Sequence, residues 1–257
     1  METIVVRLAK WKMHRFLSNH PEIAKSLPPA AVFTPSSLVT FMENHKSVYI
    51  KGNTLHTGKG IIKAWRVPNG YQYIRVSGKA HYSPSAIDLY QEIKKTNPNQ
   101  MFIIQKAIDL ATINGRPYDI RVMMMRDGVR RWQYAGMVAK VHGPGSVISN
   151  VRRGGGYVTT VEHALAQSKF DKARIESIKE QLISLSKKII HYSESYPFFS
   201  FQSGIDLAVD KLGKVWIIEV NLHNPSHALF YNLTDKTHYQ RIRRLYIDYR
   251  KHNKRLL

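Results

Sequence analysis

Apolar residues alternate with polar or small ones along GIDLAVD (Gly204 to Asp210) and KVWIIEVN (Lys214 to Asn221). This period of two predicts a pair of antiparallel strands. With Leu212 and Gly213 as a two-residue loop, Leu207 pairs with Ile218 and Asp206 lies opposite Glu219. One face then carries Ile205, Leu207 and Val209 with Trp216, Ile218 and Val220. Asp206, Glu219 and Asn221 gather on the other, beside Ala208, Val215 and Ile217. A three-residue loop with a bulge would change that register.

The same reading extends along the chain. A helical opening from about Ala9 to Ser26 is broken by Pro28 and Pro29, and a second helix runs from about Ser36 to His45. Ser47 to Lys51 reads as a strand entering the loop GNTLHTGKG. Ile61 to Val67 and Tyr71 to Val76 form a hairpin around Pro68, Asn69 and Gly70. Ser83 is placed as the cap of a helix with Pro84 at its first position, ending near Thr96. Met101 to Gln105 is a further strand. A long hairpin follows, Asp119 to Arg126 and Val129 to Val141, turning at Asp127 and Gly128. His142 to Tyr157 is glycine-rich and basic. Ile175, Ile178, Leu182, Leu185 and Ile189 stripe a helix from about Asp171 to Ser195. Antiparallel hairpins with helices between them predict an α+β fold, not a doubly wound parallel sheet.

Composition narrows the function. The 257 residues contain no cysteine, which excludes disulfides and a thiol catalyst. No apolar run approaches the ~20 residues of a membrane span, and METIVVRLAKWKMHRF is too polar for a signal-peptide core, so a cytosolic protein is expected. The formal net charge is +21, which favours anionic partners: nucleotides, nucleic acid, anionic polymers or acidic membranes. In the basic terminal segment RIRRLYIDYRKHNKRLL, Ile242, Leu245, Tyr246 and Tyr249 recur at helical spacing. That describes a docked surface helix more than a nucleic-acid reader; no zinc, RRM or KH signature accompanies it.

Several positions carry chemistry. Asp206, Glu219 and Asn221 on one rigid face suit a hard cation such as Mg²⁺, against the plain alternative of a solvated strand face. Lys51 precedes a loop with Gly52, Gly58 and Gly60, a combination able to cradle phosphate, although it is not a Walker A sequence. An exposed lysine beside a glycine-rich hairpin is the alternative. Arg121 sits in the apolar strand YDIRVMMM, where a buried guanidinium needs an anion, and Asp119 on the same face is one candidate partner. Asn150, Arg152 and Arg153 precede three glycines and form either a phosphate or carboxylate clamp or a surface loop. His223 and His227 are separated by Pro225, so one helix does not carry both. No HExxH or GxSxG pattern is present.

Taken in order, YIKG, FIIQKAIDLATINGRPYDIRV, SNVRRGGGY and GIDLAVDKLGKVWIIEVN resemble the ATP-grasp superfamily, in particular the YheC/YheD-type proteins associated with bacterial endospore coats. The resemblance implies an N-terminal helical segment at 1–46, a small subdomain with the glycine loop at 47–108 and a large subdomain at 109–257. It implies ATP held between two α+β subdomains, with the superfamily's preceding α/β domain absent or reduced. Lys51, Gly58, Lys59 and Gly60 would meet phosphates. Gln105, Lys106, Ala107 and Ile108 would form the adenine hinge, with Asp109 at the ribose. Arg121, Asn150 and Arg153 would act at the transferring phosphoryl group or acceptor. Asp206, Glu219 and Asn221 would bind Mg²⁺, or Mn²⁺ in its place. The implied reaction joins an anionic carboxylate acceptor to an amine donor through an acylphosphate. A kinase on the same scaffold and a non-catalytic spore-coat protein stand as alternatives, and homo-oligomers are compatible with each.

Overall fold

In the computed structural model, residues 9–55, 60–76, 78–147, 155–196, 200–222 and 225–253 are described. The chain forms two compact units. The first takes Met1–Asn19, Pro28–Ile108 and Gly143–Gly155; the second takes His20–Leu27, Asp109–His142 and Gly156–Leu257.

The first unit is built on a six-stranded, wholly antiparallel sheet. Its strands are β1 (Ala30–Val32), β2 (Ser47–Gly52), β3 (Ile61–Val67), β4 (Gly70–Arg75), β5 (His81–Ser83) and β6 (Phe102–Lys106), in the order β1-β6-β2-β3-β4-β5. Helix α1 (Lys10–Ser18) buries Met13 and Leu17, four residues apart on one stripe. The expected continuous opening helix instead stops at Ser18, because Pro21 cannot donate inside a helix and starts a new one. That new turn, α2 (Pro21–Ala24), lies in the second unit. Helix α3 (Pro35–Asn44) opens with a capping box: Thr34 Oγ1 accepts from Ser37 N at 3.1 Å and Ser37 Oγ from Thr34 N at 2.9 Å.

Helix α4 (Ala86–Lys95) is capped by Ser85, not Ser83, since Ser83 is drawn into β5 opposite Tyr71. Leu38 and Met42 of α3, and Leu89 and Ile93 of α4, close over Val48, Ile50, Ile62 and Ile104 of the sheet. Fully burying one such side chain contributes about 1.5–3 kcal/mol.

The second unit holds the other antiparallel sheet, ordered β10-β9-β8-β11-β12. Its strands are β8 (Arg116–Arg126), β9 (Trp132–Val141), β10 (Tyr157–Thr159), β11 (Gln202–Val209) and β12 (Val215–Asn221), and the short β7 (Thr112–Ile113) pairs with β8. Every residue of β11 is buried, so both of its faces are covered. Helix α5 (Val161–Gln167) precedes α6 (Lys172–Ser193), which Asp171 caps and which packs over β8, β9, β11 and β12. The terminal α7 (Thr237–His252) lies on β8 and β9. There Ile242 joins Met123, Met125, Val138, Phe230 and Leu233 in one cluster. Met123 and Met125 share a strand face with Asp119 and Arg121. The terminal helix therefore covers the apolar half of the face that also carries the charged row.

The β11–β12 hairpin departs from the simple register in two places. Its loop has three residues, Lys211 to Gly213, with Asp210 N donating to Lys214 O at 3.0 Å and Gly213 at φ +81°. Asp210 Oδ1 accepts from the backbone N–H of Leu212 and Lys214, each at 2.9 Å, which fixes the turn. Leu207 consequently pairs with Ile217 instead of Ile218. A bulge between Asp206 and Leu207 then restores the shift, so that Asp206 lies opposite Glu219. The longer turn and the bulge cancel at the acids.

Candidate functional site

In the second unit the sheet order places charged residues in direct cross-strand pairs. Lys140 of β9 lies opposite Asp119 of β8, Arg121 of β8 opposite Asp206 of β11, and Asp206 opposite Glu219 of β12. Period-two alternation keeps all of them on one face, with Asn221 beside them. Asp206 is 5% exposed and Lys140 7%. Arg121 Nε donates to Asp206 Oδ1 at 2.7 Å and Nη2 to Oδ2 at 2.8 Å, a bidentate fork. Lys140 Nζ donates to the same Oδ1 at 2.8 Å and stands 2.8 Å from Asp119 Oδ1. Asn221 Nδ2 approaches Asp206 Oδ2 at 3.4 Å.

Ionisation follows from these distances. Burial by itself would raise the Asp206 carboxyl, but the adjoining Arg121 and Lys140 outweigh it and hold it well below the usual carboxylate range. Burial would lower Arg121 and Lys140. Their acids reverse the sign: Asp206 raises Arg121, and Asp119 with Asp206 raises Lys140. All three groups therefore remain charged at neutral pH. The anion that balances Arg121 is Asp206, which corrects the assignment of Asp119. Asp119 is occupied by Lys140, a residue not singled out from the sequence.

Gly204 is the other residue sequence reasoning missed. A Cβ there would lie 3.0 Å from Arg121 Cδ and Nη1, so the absent side chain makes room for the guanidinium to lie across the strand.

A carboxylate offers about four acceptor positions. On Asp206 these meet Arg121 twice, Lys140 and Asn221. Asp206, Glu219 and Asn221 are thus neighbours, yet as arranged they do not fit a divalent ion shared among all three. Asp206 has no position left, and two cations already adjoin it.

In the first unit Lys51, 9% exposed, and Gln105, 6% exposed, come from adjacent strands, and Lys51 Nζ donates to Gln105 Oε1 at 2.6 Å. The ammonium also lies 5.7 Å from the Tyr49 ring centroid. His14 of α1 is held below its ordinary value by burial and by the charge of Lys51. The base of the glycine loop is closed by Gly52 N donating to Gly60 O at 3.1 Å. Gly60 has φ +66°, and a Cβ on either glycine would meet Leu55 Cδ1 at 2.5 Å. Gly58 and Lys59 lie outside the described residues, as do Asn150, Arg152 and Arg153.

Along the segment named as a hinge, Lys106 N donates to Pro29 O at 2.9 Å and Ala107 N to Ser47 O at 3.1 Å. Ile108 ends the Pro28–Ile108 segment of the first unit. Asp109 opens the Asp109–His142 segment of the second unit and is paired with Lys211 at 2.9 Å.

A family model described as YheC/D like ATP-grasp matches residues 6–252. The endospore coat-associated protein YheD of Bacillus subtilis (strain 168) is 28% identical over 230 residues, 86% of this chain and 49% of that protein. The chain thus spans about half the length of this curated relative. Among solved structures, the N5-carboxyaminoimidazole synthetase of Staphylococcus aureus, complexed with ADP, aligns with TM-score 0.52 at 11% identity, covering 86% of this chain and 47% of the other. D-cycloserine synthetase DcsG aligns with TM-score 0.50 at 12% identity, covering 92% and 69%. At such identities the likeness is one of fold. With the family model spanning both sheets and the charged row, the chain belongs to the YheC/D-like ATP-grasp family.

Proposed function

We propose that this chain binds ATP and uses it to join a carboxylate to an amine. The observation that carries the reading is that an ATP-grasp family member keeps Arg121, Asp206, Glu219 and Asn221 on one sheet face, with Arg121 and Asp206, and Asp206 and Glu219, as direct cross-strand partners. The names of the S. aureus synthetase and of DcsG support a ligase chemistry, and the ADP complex of the former supports the nucleotide.

In this reaction a carboxylate oxygen of the acceptor attacks the γ-phosphorus and ADP leaves, forming an acylphosphate. The amine nitrogen then attacks the acyl carbon, inorganic phosphate leaves, and the ammonium proton passes to solvent. No protein nucleophile is needed, so the side chains act by position and charge. In this reading Lys51 would meet the phosphates as a compact cation, together with Gly58, Lys59 and Gly60, and Gln105 to Ile108 would serve the adenine, with Asp109 at the ribose. Arg121, Arg153 and Asn150 would act on the charge that develops on the phosphoryl group. Were magnesium, or manganese in its place, to accompany the nucleotide, Glu219 and Asn221 would be the residues of this chain to hold it, and it would supply charge to the phosphates. The net charge of +21 favours an anionic acceptor, and the name of the YheD relative supports a place at the endospore coat.

Calorimetric titration with a non-hydrolysable ATP analogue, with and without Mg²⁺, tests the nucleotide site, and Glu219→Gln is expected to weaken the metal-dependent part. Folded wild-type protein that binds no analogue would end this reading. ADP release that requires the amine identifies ligation; a stable phosphorylated acceptor formed without amine would make the chain a kinase.

A further inference from the structure

We propose that Lys140 is a positioning residue that keeps the Asp206 carboxylate turned toward Arg121 and closes it to a divalent cation. The inference goes beyond the ligase reading and does not depend on it.

Lys140 holds this role through geometry. Its ammonium lies 2.8 Å from oxygens of two acids, Asp119 on the neighbouring strand and Asp206 one strand further. Both acids are buried, at 6% and 5% exposure. Turning away would strand two carboxylates in the interior without their shared cation, so the ammonium is fixed. It occupies Asp206 Oδ1 together with Arg121 Nε, while Arg121 Nη2 and Asn221 Nδ2 take Oδ2.

A magnesium ion would need one of those positions at about 2.0–2.1 Å. There it would meet two resident cations that cannot withdraw into water. Lys140 thus does for Asp206 what a bound metal would do: it neutralises the acid and fixes its orientation. The carboxylate it fixes in turn sets the guanidinium of Arg121, for which Gly204 leaves the space.

Removing the ammonium should therefore create a divalent-cation site, a gain that simple loss of structure would not produce. The test is electron paramagnetic resonance titration of free Mn²⁺, without nucleotide, against the full chain. Two variants are compared with wild type: Lys140→Met and the charge-balanced pair Asp119→Asn with Lys140→Met. The second leaves the Asp206–Arg121 pair balanced should the single change fail to fold. Both are expected to bind Mn²⁺ at least about tenfold more tightly than wild type, because a cation in contact with the ligand carboxylate is gone. Adding Asp206→Asn should abolish the gain, and Lys140→Arg, which keeps the charge, should show none. Folded variants that bind Mn²⁺ no better than wild type would overturn the proposal. So would a gain that survives Asp206→Asn.

Discussion

Arg121 and Asp206 face each other across β8 and β11, joined by hydrogen bonds of 2.7 and 2.8 Å. Because the pair is buried, the loss of one partner costs more than the pair contributes. Asp206→Ala leaves both Arg121 and Lys140 without a shared acceptor, and should lower stability by about 3–5 kcal/mol in urea unfolding. Arg121→Met, which leaves Lys140 on Asp206, should cost less. Equal losses would mean that Lys140 does not support the carboxylate.

Gly204 supports the same arrangement by having no side chain. A methyl group there would press on Arg121 and on Pro225, each 3.0 Å away. Gly204→Ala should therefore destabilise by about 1–3 kcal/mol through overpacking. In an Arg121→Met background the pressure is relieved, and the penalty should fall by at least about 0.5 kcal/mol, the scale of coupling between touching residues. Additive penalties would place the strain elsewhere.

Asp127 makes a separate, pH-dependent contribution at the β8–β9 turn. Its Oδ1 accepts from Val129 N at 3.2 Å and Arg131 N at 2.8 Å, and Oδ2 from Gln133 Nε2 at 3.0 Å. Burial would raise its carboxyl, but the Arg131 and Val129 backbone N–H groups, Gln133 and the Arg131 charge more than reverse this and hold it below its ordinary value. A depressed carboxyl stabilises the fold above the unfolded value of about 3.9, and that contribution is lost as pH falls through the folded value. Asp127→Ala should thus cost about 1–2 kcal/mol near neutrality. Thermal melts of the two proteins should converge below about pH 4. A gap that is constant from pH 7 to pH 3 would rule out the carboxylate as its source.

Much of the site was legible because β-strands have a strict period. Alternation in GIDLAVD and KVWIIEVN put Asp206, Glu219 and Asn221 on one face, and Asp206 does lie opposite Glu219. The route to that pairing was not legible. DKLGK closes equally well as a two- or three-residue loop, and only the cross-strand hydrogen bonds of Asp210 select the longer one. The partner of Arg121 was hidden for a different reason. Sequence shows that Asp119 and Arg121 share a face, but not which strand lies on each side of β8. The order β9-β8-β11 gives Asp119 to Lys140 and Arg121 to Asp206. Lys140 carried no local signal, since a lysine in an apolar strand reads as readily as an edge residue reaching for water. Ser83 and Ser85 are equally good caps in isolation, and the choice was made by the pairing of β5 with β4.

Lys51 and Gln105 allow a structural role to be separated from a nucleotide role. The lysine donates to Gln105 Oε1 at 2.6 Å, and both residues are buried. Lys51→Met takes a donor from a buried amide oxygen and should cost about 1–3 kcal/mol. Gln105→Leu removes that acceptor but leaves the ammonium, and it keeps the backbone groups of residues 105–108. If Lys51 serves only the fold, both variants should lose stability while any affinity for an ATP analogue stays near wild type. If it meets phosphate, Lys51→Met alone should weaken analogue binding by about tenfold or more, as expected for losing one charge-assisted contact of about 1.5–3 kcal/mol. Gln105→Leu should then bind within about threefold of wild type, since the cation that matters is still present. Calorimetry on the two folded variants decides between these outcomes. Equal loss of affinity in both would transfer the role from the ammonium to the pair, with Gln105 orienting Lys51 for the phosphates.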